Sequence, residues 1–273
     1  MSYKQNLHTH CTYCDGRDTP EEMIAYAIEK GFDSIGFSSH SYNPYSTYFE
    51  KDLKKEIKVY RKRIPELKEL YKDKIKIFCG LEYEFCSGEP VGEWDYTLGA
   101  IHYVPIPGGW GTFDSDAICV RNLINNSFDG DGQAFVKAYY DTMAKLPEAG
   151  NFDIIAHFDI ITKNLEKAPD LFDADCKEYW DCAFGAMEAL RGKIPFFEVN
   201  TGAISRGYRT TPYPAIPLLK VFREMGFGAV ITSDCHDGRY LDCHFDECVE
   251  LLKMCGFKEK FILTEEGFVP VKL

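Results

Sequence analysis

Thr19-Pro-Glu-Glu-Met-Ile-Ala-Tyr-Ala-Ile-Glu-Lys-Gly-Phe-Asp-Ser-Ile-Gly-Phe-Ser-Ser-His40 is the stretch that decides the fold. Thr19 is a good N-cap, Pro20 suits a first helical turn, and Glu22 completes a Thr-x-x-Glu capping box. Met23 and Ala27, with Ile24 and Ile28, repeat at i, i+4 and give the helix one face to lay on a sheet. Gly31 closes it, and the chain passes at once into a β-rich run, Asp33 to Ser39. Another β-rich run, Asn6 to His10, precedes the helix. The result is a strand–helix–strand unit.

Outward from there the unit recurs. Lys76 to Phe85, Thr97 to Val104, Asp153 to Phe158, Phe196 to Asn200 and Ala229 to Ser233 are further β-rich runs, with helical patterns between them. Seven strands alternating with helices predict parallel βα units, in either a barrel or a doubly wound sheet. The charged segment Glu50 to Asp73 predicts a helix with Leu53, Ile57, Tyr60, Ile64 and Leu67 on one side, and a kink or break at Pro65. Pro105 to Asp116, with its glycines, Trp110 and Phe113, predicts a long aromatic loop. No repeat or linker divides the sequence, so residues 1–273 are expected to form a single domain.

A net charge of −12 argues against a broad basic face for nucleic acid or anionic lipid. Apolar residues at 45% suffice for a large core and exclude a disordered chain. No apolar run approaches the ~20 residues that span a bilayer, and Met1 to Asn6 lacks the apolar core of a signal peptide. Eleven scattered cysteines, an odd number, fit buried thiols in a reducing cytoplasm better than a disulfide scaffold. A cytoplasmic protein without membrane or nucleic-acid partners is expected.

The informative residues are the histidines. His8, His10, His40, His102, His157 and His236 fall in or at the ends of predicted strands, and only His244 does not. In a parallel barrel these ends converge on one face. Asp15, Glu82, Glu84, Asp159 and Asp234 accompany them. His8-Thr9-His10 has period-two spacing, so both imidazoles leave one face of the strand. Mixed imidazole and carboxylate donors suit zinc, manganese or iron.

His8-x-His10, Asp15-Gly16, Ser-Ser-His40, Gly80-Leu-Glu82, Gly99-x-x-His102, Ala156-His157-x-Asp159 and Ser233-Asp234-x-His236 resemble, in order and over nearly the whole chain, the motifs of the PHP (polymerase and histidinol phosphatase) family. Glu198-Val-Asn200-Thr201, Arg206-Gly207 and Pro212-Tyr213-Pro214 look like its histidinol-phosphatase branch. The resemblance implies a distorted seven-stranded (β/α)7 TIM-like barrel with three clustered divalent metals, zinc, iron or manganese. It implies that His8, His10, Glu82 and Asp234 hold the first metal. Glu82 would bridge to a second held by His102 and His157, and Asp15, His40 and His236 would hold the third. Glu84 has no matching motif and reads as a structural salt bridge.

The implied activity is hydrolysis of a small phosphomonoester, foremost L-histidinol phosphate, by a metal-bound hydroxide. Arg206 would clamp phosphate, Asp159 or water would protonate the leaving alkoxide, and Asn200 would contact substrate. Arg17, Lys163, Arg209 and Arg239 read as surface charges. The family also contains nucleases, nucleotide phosphatases and phosphotyrosine phosphatases; a non-catalytic metal module is a further alternative. Three other patterns compete. Cys11-x5-Arg17 fits a cysteine-phosphatase loop, but Asp15 inside it would repel phosphate. Cys11-x-x-Cys14 has neither the helix of a redox pair nor a second pair for zinc. Asp129-Gly-Asp131-Gly132 reads as a loop and helix cap.

Overall fold

The computed structural model describes residues 3–46 and 52–273. Seven parallel strands form its centre: β1 (Gln5–Asn6), β2 (Ser34–His40), β3 (Lys76–Glu84), β4 (Tyr96–Ala100), β7 (Ile154–Ile155), β8 (Phe196–Asn200) and β9 (Gly228–Thr232). They pair in that order, and a parallel bridge between Thr9 and Cys235 joins the first strand's continuation to that of the last. The sheet therefore curls into a barrel and does not open as a doubly wound sheet. Two antiparallel hairpins flank it, β5 (Tyr103–Ile106) with β6 (Gly109–Thr112) and β10 (Glu259–Thr264) with β11 (Gly267–Lys272). Among the described residues, no helix is long and apolar enough to cross a membrane.

Helix α1 (Pro20–Glu29) is capped reciprocally: Thr19 Oγ1 accepts from Glu22 N at 3.2 Å, and Glu22 Oε2 accepts from Thr19 N at 2.8 Å. Met23, Ile24 and Ala27 are buried, whereas Ile28 is partly exposed, so the packed face is narrower than the spacing predicts. Helix α2 (Leu53–Leu70) buries Leu53, Tyr60, Ile64 and Leu67. The first two residues of its predicted span, Glu50 and Lys51, lie outside the described residues. Of the kink or break expected at Pro65, the break does not occur, and the helix runs through it. Pro65 and Arg61, whose carbonyl loses its i+4 donor, are both exposed, so water can satisfy that carbonyl. The expected aromatic loop is instead the β5–β6 hairpin, turned at Gly108 with φ +87°, and it is followed by Phe113, which sits buried in the core against Phe135 and Tyr139.

Strand parity separates the helix-covered face of the sheet from the barrel interior. Outward residues such as Ile35, Phe37, Ile77, Leu81, Phe197 and Ile231 pack under the helices. Inward residues at the lower end are apolar: Leu7, Phe78, Tyr96, Leu98, Ile154 and Val230 fill the barrel, and Leu263 of the β10–β11 hairpin joins them from below. Tyr96 donates to Leu7 O at 2.6 Å and lies near Phe37 O at 2.9 Å. Its ring occupies the space a side chain would need at Gly80, where a Cβ would meet it at 2.4 Å. Toward the C-terminal ends of the strands polar groups take over, Glu82 and Glu84 on β3, Glu198 on β8 and Thr232 on β9.

Candidate metal centre

Glu82 and Glu84 continue the inward face of β3, and His102 follows Tyr96, Leu98 and Ala100 in the same parity. His157 lies just past β7 and Asp234 just past β9. Their φ values, +21° and +44°, are left-handed for residues other than glycine. Such conformations cost about 1–3 kcal/mol each and cluster at functional sites. Asp15 is carried in on a tight loop: Cys14 N and Gly16 N both donate to Cys11 O, at 3.0 and 3.1 Å. Gly16 approaches so closely that a Cβ there would fall 2.4 Å from backbone atoms of His10 and Cys11.

The nine predicted donors converge. His8 Nε2 lies 3.4 Å from Glu82 Oε1 and 3.5 Å from Asp234 Oδ1; His10 Nε2 lies 3.5 Å from Glu82 Oε2 and 3.3 Å from Asp234 Oδ1. A second group joins Glu82 Oε1 to His157 Nε2 at 3.0 Å and His102 Nε2 at 3.5 Å, with the two imidazoles 3.2 Å apart. In a third, Asp15 lies 3.4 Å from His40 Nε2 and 3.3 Å from His236 Nε2. Donors sharing one ion through bonds of about 2.1 Å stand about 3.0–3.4 Å apart, so these separations fit metal ligation. The buried ring nitrogens His8 Nε2 and His10 Nε2 have no hydrogen-bond partner, as atoms reserved for ions would, while Glu82 Oε2 faces His40 Nδ1 at 2.8 Å.

The electrostatics agree. Burial alone would raise the Glu82 carboxyl, but His40, His8 and His102 hold it well below the usual range. Asp15 and Asp234 are depressed against burial, Asp15 by His236 and His40 and Asp234 chiefly by Arg206. Burial opposes charge on His8 and His102 as well, yet the surrounding carboxylates raise both, His102 to about 9. For His10, burial and neighbouring His40 prevail and lower it. The cavity is built for extra positive charge.

Behind the donors stand groups that the sequence reading missed. Glu84 Oε2 lies 2.9 Å from both His102 N and His102 Nδ1, so its salt bridge is to a donor histidine. Glu198, quoted only as part of a motif, is fully buried and reaches His8 Nδ1 at 2.9 Å. Cys14 Sγ, one of the thiols expected to be buried, lies 3.3 Å from His10 Nδ1. Glu198 has the inward parity of Glu82 and Glu84, and that shared parity is a signal the sequence contains.

Arg206 borders the cluster, donating to Asp234 Oδ2 at 2.7 Å and Asp234 O at 2.8 Å, with its side chain 31% exposed. Asn200 does not face the cleft. It is wholly buried, its Nδ2 donates to Glu198 at 2.7 Å and its Oδ1 accepts from Gly202 N at 2.8 Å. Asp159 is also sealed: Oδ2 accepts from Ala215 N at 3.0 Å and lies 3.8 Å from Arg209. Arg17 and Arg239 are surface charges paired with Asp237, as expected. Lys163 and Arg209 are not: Lys163 is buried against Asp114 at 2.6 Å, and Arg209 is largely buried against Thr162 and Thr211. The exposed position of Arg17 leaves the Cys11-x5-Arg17 pattern without a phosphate cradle. Asp131 caps the next helix, Gly132–Met143, accepting from Gln133 N at 2.8 Å.

The chain is 26% identical to a Schizosaccharomyces pombe protein named "Probable histidinol-phosphatase", over 95% of this chain and 89% of that one. A Deinococcus radiodurans protein of the same name is 24% identical, over 92% of each. The crystal structure of a Lactococcus lactis histidinol phosphate phosphatase, complexed with zinc, L-histidinol and phosphate, superposes with a TM-score of 0.69 over 98% of both chains at 18% identity, a likeness of fold. The PHP domain family matches residues 6–202, a stretch that holds His8, His10, Asp15, His40, Glu82, His102 and His157. The chain belongs to the PHP domain family.

Proposed function

We propose that this chain is a metal-dependent phosphomonoesterase that hydrolyses L-histidinol phosphate to L-histidinol and phosphate. The observation that carries the reading is the convergence of nine imidazole and carboxylate donors, two with orphaned ring nitrogens, beside Arg206 at one end of the barrel. The names of the relatives, and the zinc, L-histidinol and phosphate held by the Lactococcus lactis protein, support the substrate.

Three divalent ions, zinc, iron or manganese, would occupy the overlapping donor groups, with Glu82 shared between the first two ions. When bound, such ions activate water and offset charge on the phosphoryl oxygens. The protein's own part is orientation. Arg206 has five N–H donors, of which Asp234 engages two, and others serve phosphoryl oxygens at the rim. Asp159 is too enclosed to meet a leaving group, so we assign it to holding Arg209 and the peptide of Ala215, and give the alkoxide proton to solvent. Asn200 serves Glu198 and does not touch substrate. We place the enzyme in the cytoplasm, acting as one domain on a small substrate.

The test is phosphate release by protein loaded with zinc or manganese, on L-histidinol phosphate, p-nitrophenyl phosphate and bis-p-nitrophenyl phosphate. Preferential turnover of L-histidinol phosphate is expected. Preference for the diester would move the reading to a nuclease, and inertness with a full metal complement would make the chain a binding module.

A further inference from the structure

Two buried carboxylates outside the donor set treat the donor histidines in the same way but not to the same extent. Glu84 Oε2 lies 2.9 Å from both the backbone N and the ring Nδ1 of His102. Glu198 spans two histidines. Its Oε2 accepts from His8 Nδ1 at 2.9 Å and Thr232 Oγ1 at 2.7 Å, while its Oε1 accepts from the backbone N–H of His157 at 2.6 Å and Asn200 Nδ2 at 2.7 Å. Four donors thus fix one carboxylate that solvent never reaches.

A neutral imidazole has one N–H and one lone pair. A carboxylate at Nδ1 keeps the proton there and leaves the Nε2 lone pair for an ion. His8 Nε2 is indeed the atom left without a partner, directed at Glu82 and Asp234. The bond to His157 N acts on the backbone, at a residue whose φ of +21° needs restraint if its ring is to stay beside Glu82 and His102. His8 shares one donor group with His10 and Glu82, and His157 another with Glu82 and His102, while a further group joins His8, His157 and Asp234 where the two adjoin.

We propose that Glu198 is a positioning residue that prepares ligands of two metal ions at once, whereas Glu84 prepares His102 for one. The assignment rests on the metal-centre reading above. It also makes a sharp demand on an isosteric change. In Glu198→Gln the amide oxygen can keep His157 N and Asn200, but the amide N–H₂ then faces His8 Nδ1. It favours the tautomer with the proton on Nε2, where the ion should bind.

Zinc binding to the whole protein, read as ions per chain by mass spectrometry across chelator-buffered zinc concentrations, tests this without relying on turnover. Glu84→Gln should weaken one ion by about 10–100-fold and Glu198→Gln two ions by about the same factor. ¹⁵N NMR of the His8 ring in metal-free protein, at a pH high enough to make the ring neutral, should show the proton on Nδ1 in wild type and on Nε2 in Glu198→Gln, a change that loss of packing would not produce. Wild-type affinity for every ion in folded Glu198→Gln, or weakening of one ion alone, overturns the assignment. If Glu198→Gln does not fold, Thr232→Val removes one anchor of the carboxylate and should shift the same two ions by a smaller factor; unchanged binding there also overturns it. Wild-type protein that binds no zinc would instead overturn the metal-centre reading itself.

Discussion

Replacing Arg206 by alanine separates its two duties. At the resting site it donates to Asp234 Oδ2 and Asp234 O, leaving Asp234 Oδ1 3.3–3.5 Å from the His8 and His10 nitrogens. At the proposed reaction it also binds phosphoryl oxygens. Two charge-assisted bonds at about 1.5–3 kcal/mol each, at about 1.4 kcal/mol per decade, predict a fall in kcat/KM of about 10²–10⁴. The lost hold on Asp234 should weaken the first ion as well, so rates are compared at saturating metal with content measured. Arg206→Lys should recover little, because a point charge does not reproduce a forked grip. The assay is steady-state kinetics on L-histidinol phosphate and p-nitrophenyl phosphate. Equal large losses on both place Arg206 at the phosphate. A loss confined to L-histidinol phosphate would move it to the leaving group, and wild-type rates on both would refute the reasoning.

Three further outcomes are expected. Chelator-treated protein should lose thermal stability as pH rises from about 6.5 to about 9. The raised pKa of His102 stabilises fully below the first value and is lost through the second; a flat or rising melting temperature without metal, followed by circular dichroism, would contradict this. Gly202→Ala would set a Cβ 2.8 Å from Asp234 Cβ and 2.9 Å from Arg206 Nη2. It should destabilise by about 1–3 kcal/mol and reduce metal content, and a variant matching wild type in melting temperature and metal content would show that the contact relaxes freely. Cys11→Ser should retain most hydrolysis, since Cys11 is buried and assigned no chemical step; loss of turnover with unchanged metal would return the cysteine to the chemistry.

The strands and their polar ends were legible because both are local properties. Period two along β3 sets Phe78 and Gly80 below Glu82 and Glu84 on one face, and α1 announces itself through Thr19 and Glu22. Histidine at a strand end needs only the strand to be found. What each neighbouring polar side chain does is decided by residues distant in sequence. Asn200 looks available until Glu198 and Gly202 are seen to occupy both ends of its amide. Asp159 has the spacing of a cleft carboxylate but is shut in by Ala215 and Arg209, some 50 residues on. Pro65 signals a break only if the carbonyl it frees cannot find water, and Arg61 and Pro65 both lie off the apolar side that Leu53, Tyr60, Ile64 and Leu67 mark.

The apolar filling of the lower barrel makes the molecule a vessel with one mouth. Tyr96, Leu98 and their neighbours, backed by the β10–β11 hairpin, fill the barrel below the donor cluster with buried apolar side chains. Ester, water and both products must therefore pass the same opening. Phosphate, innermost and gripped by Arg206 under the proposed mechanism, should depart after the alcohol. It should then inhibit competitively against substrate, while the alcohol product should not; the reverse pattern of product inhibition would mean that traffic at the mouth is not ordered by depth.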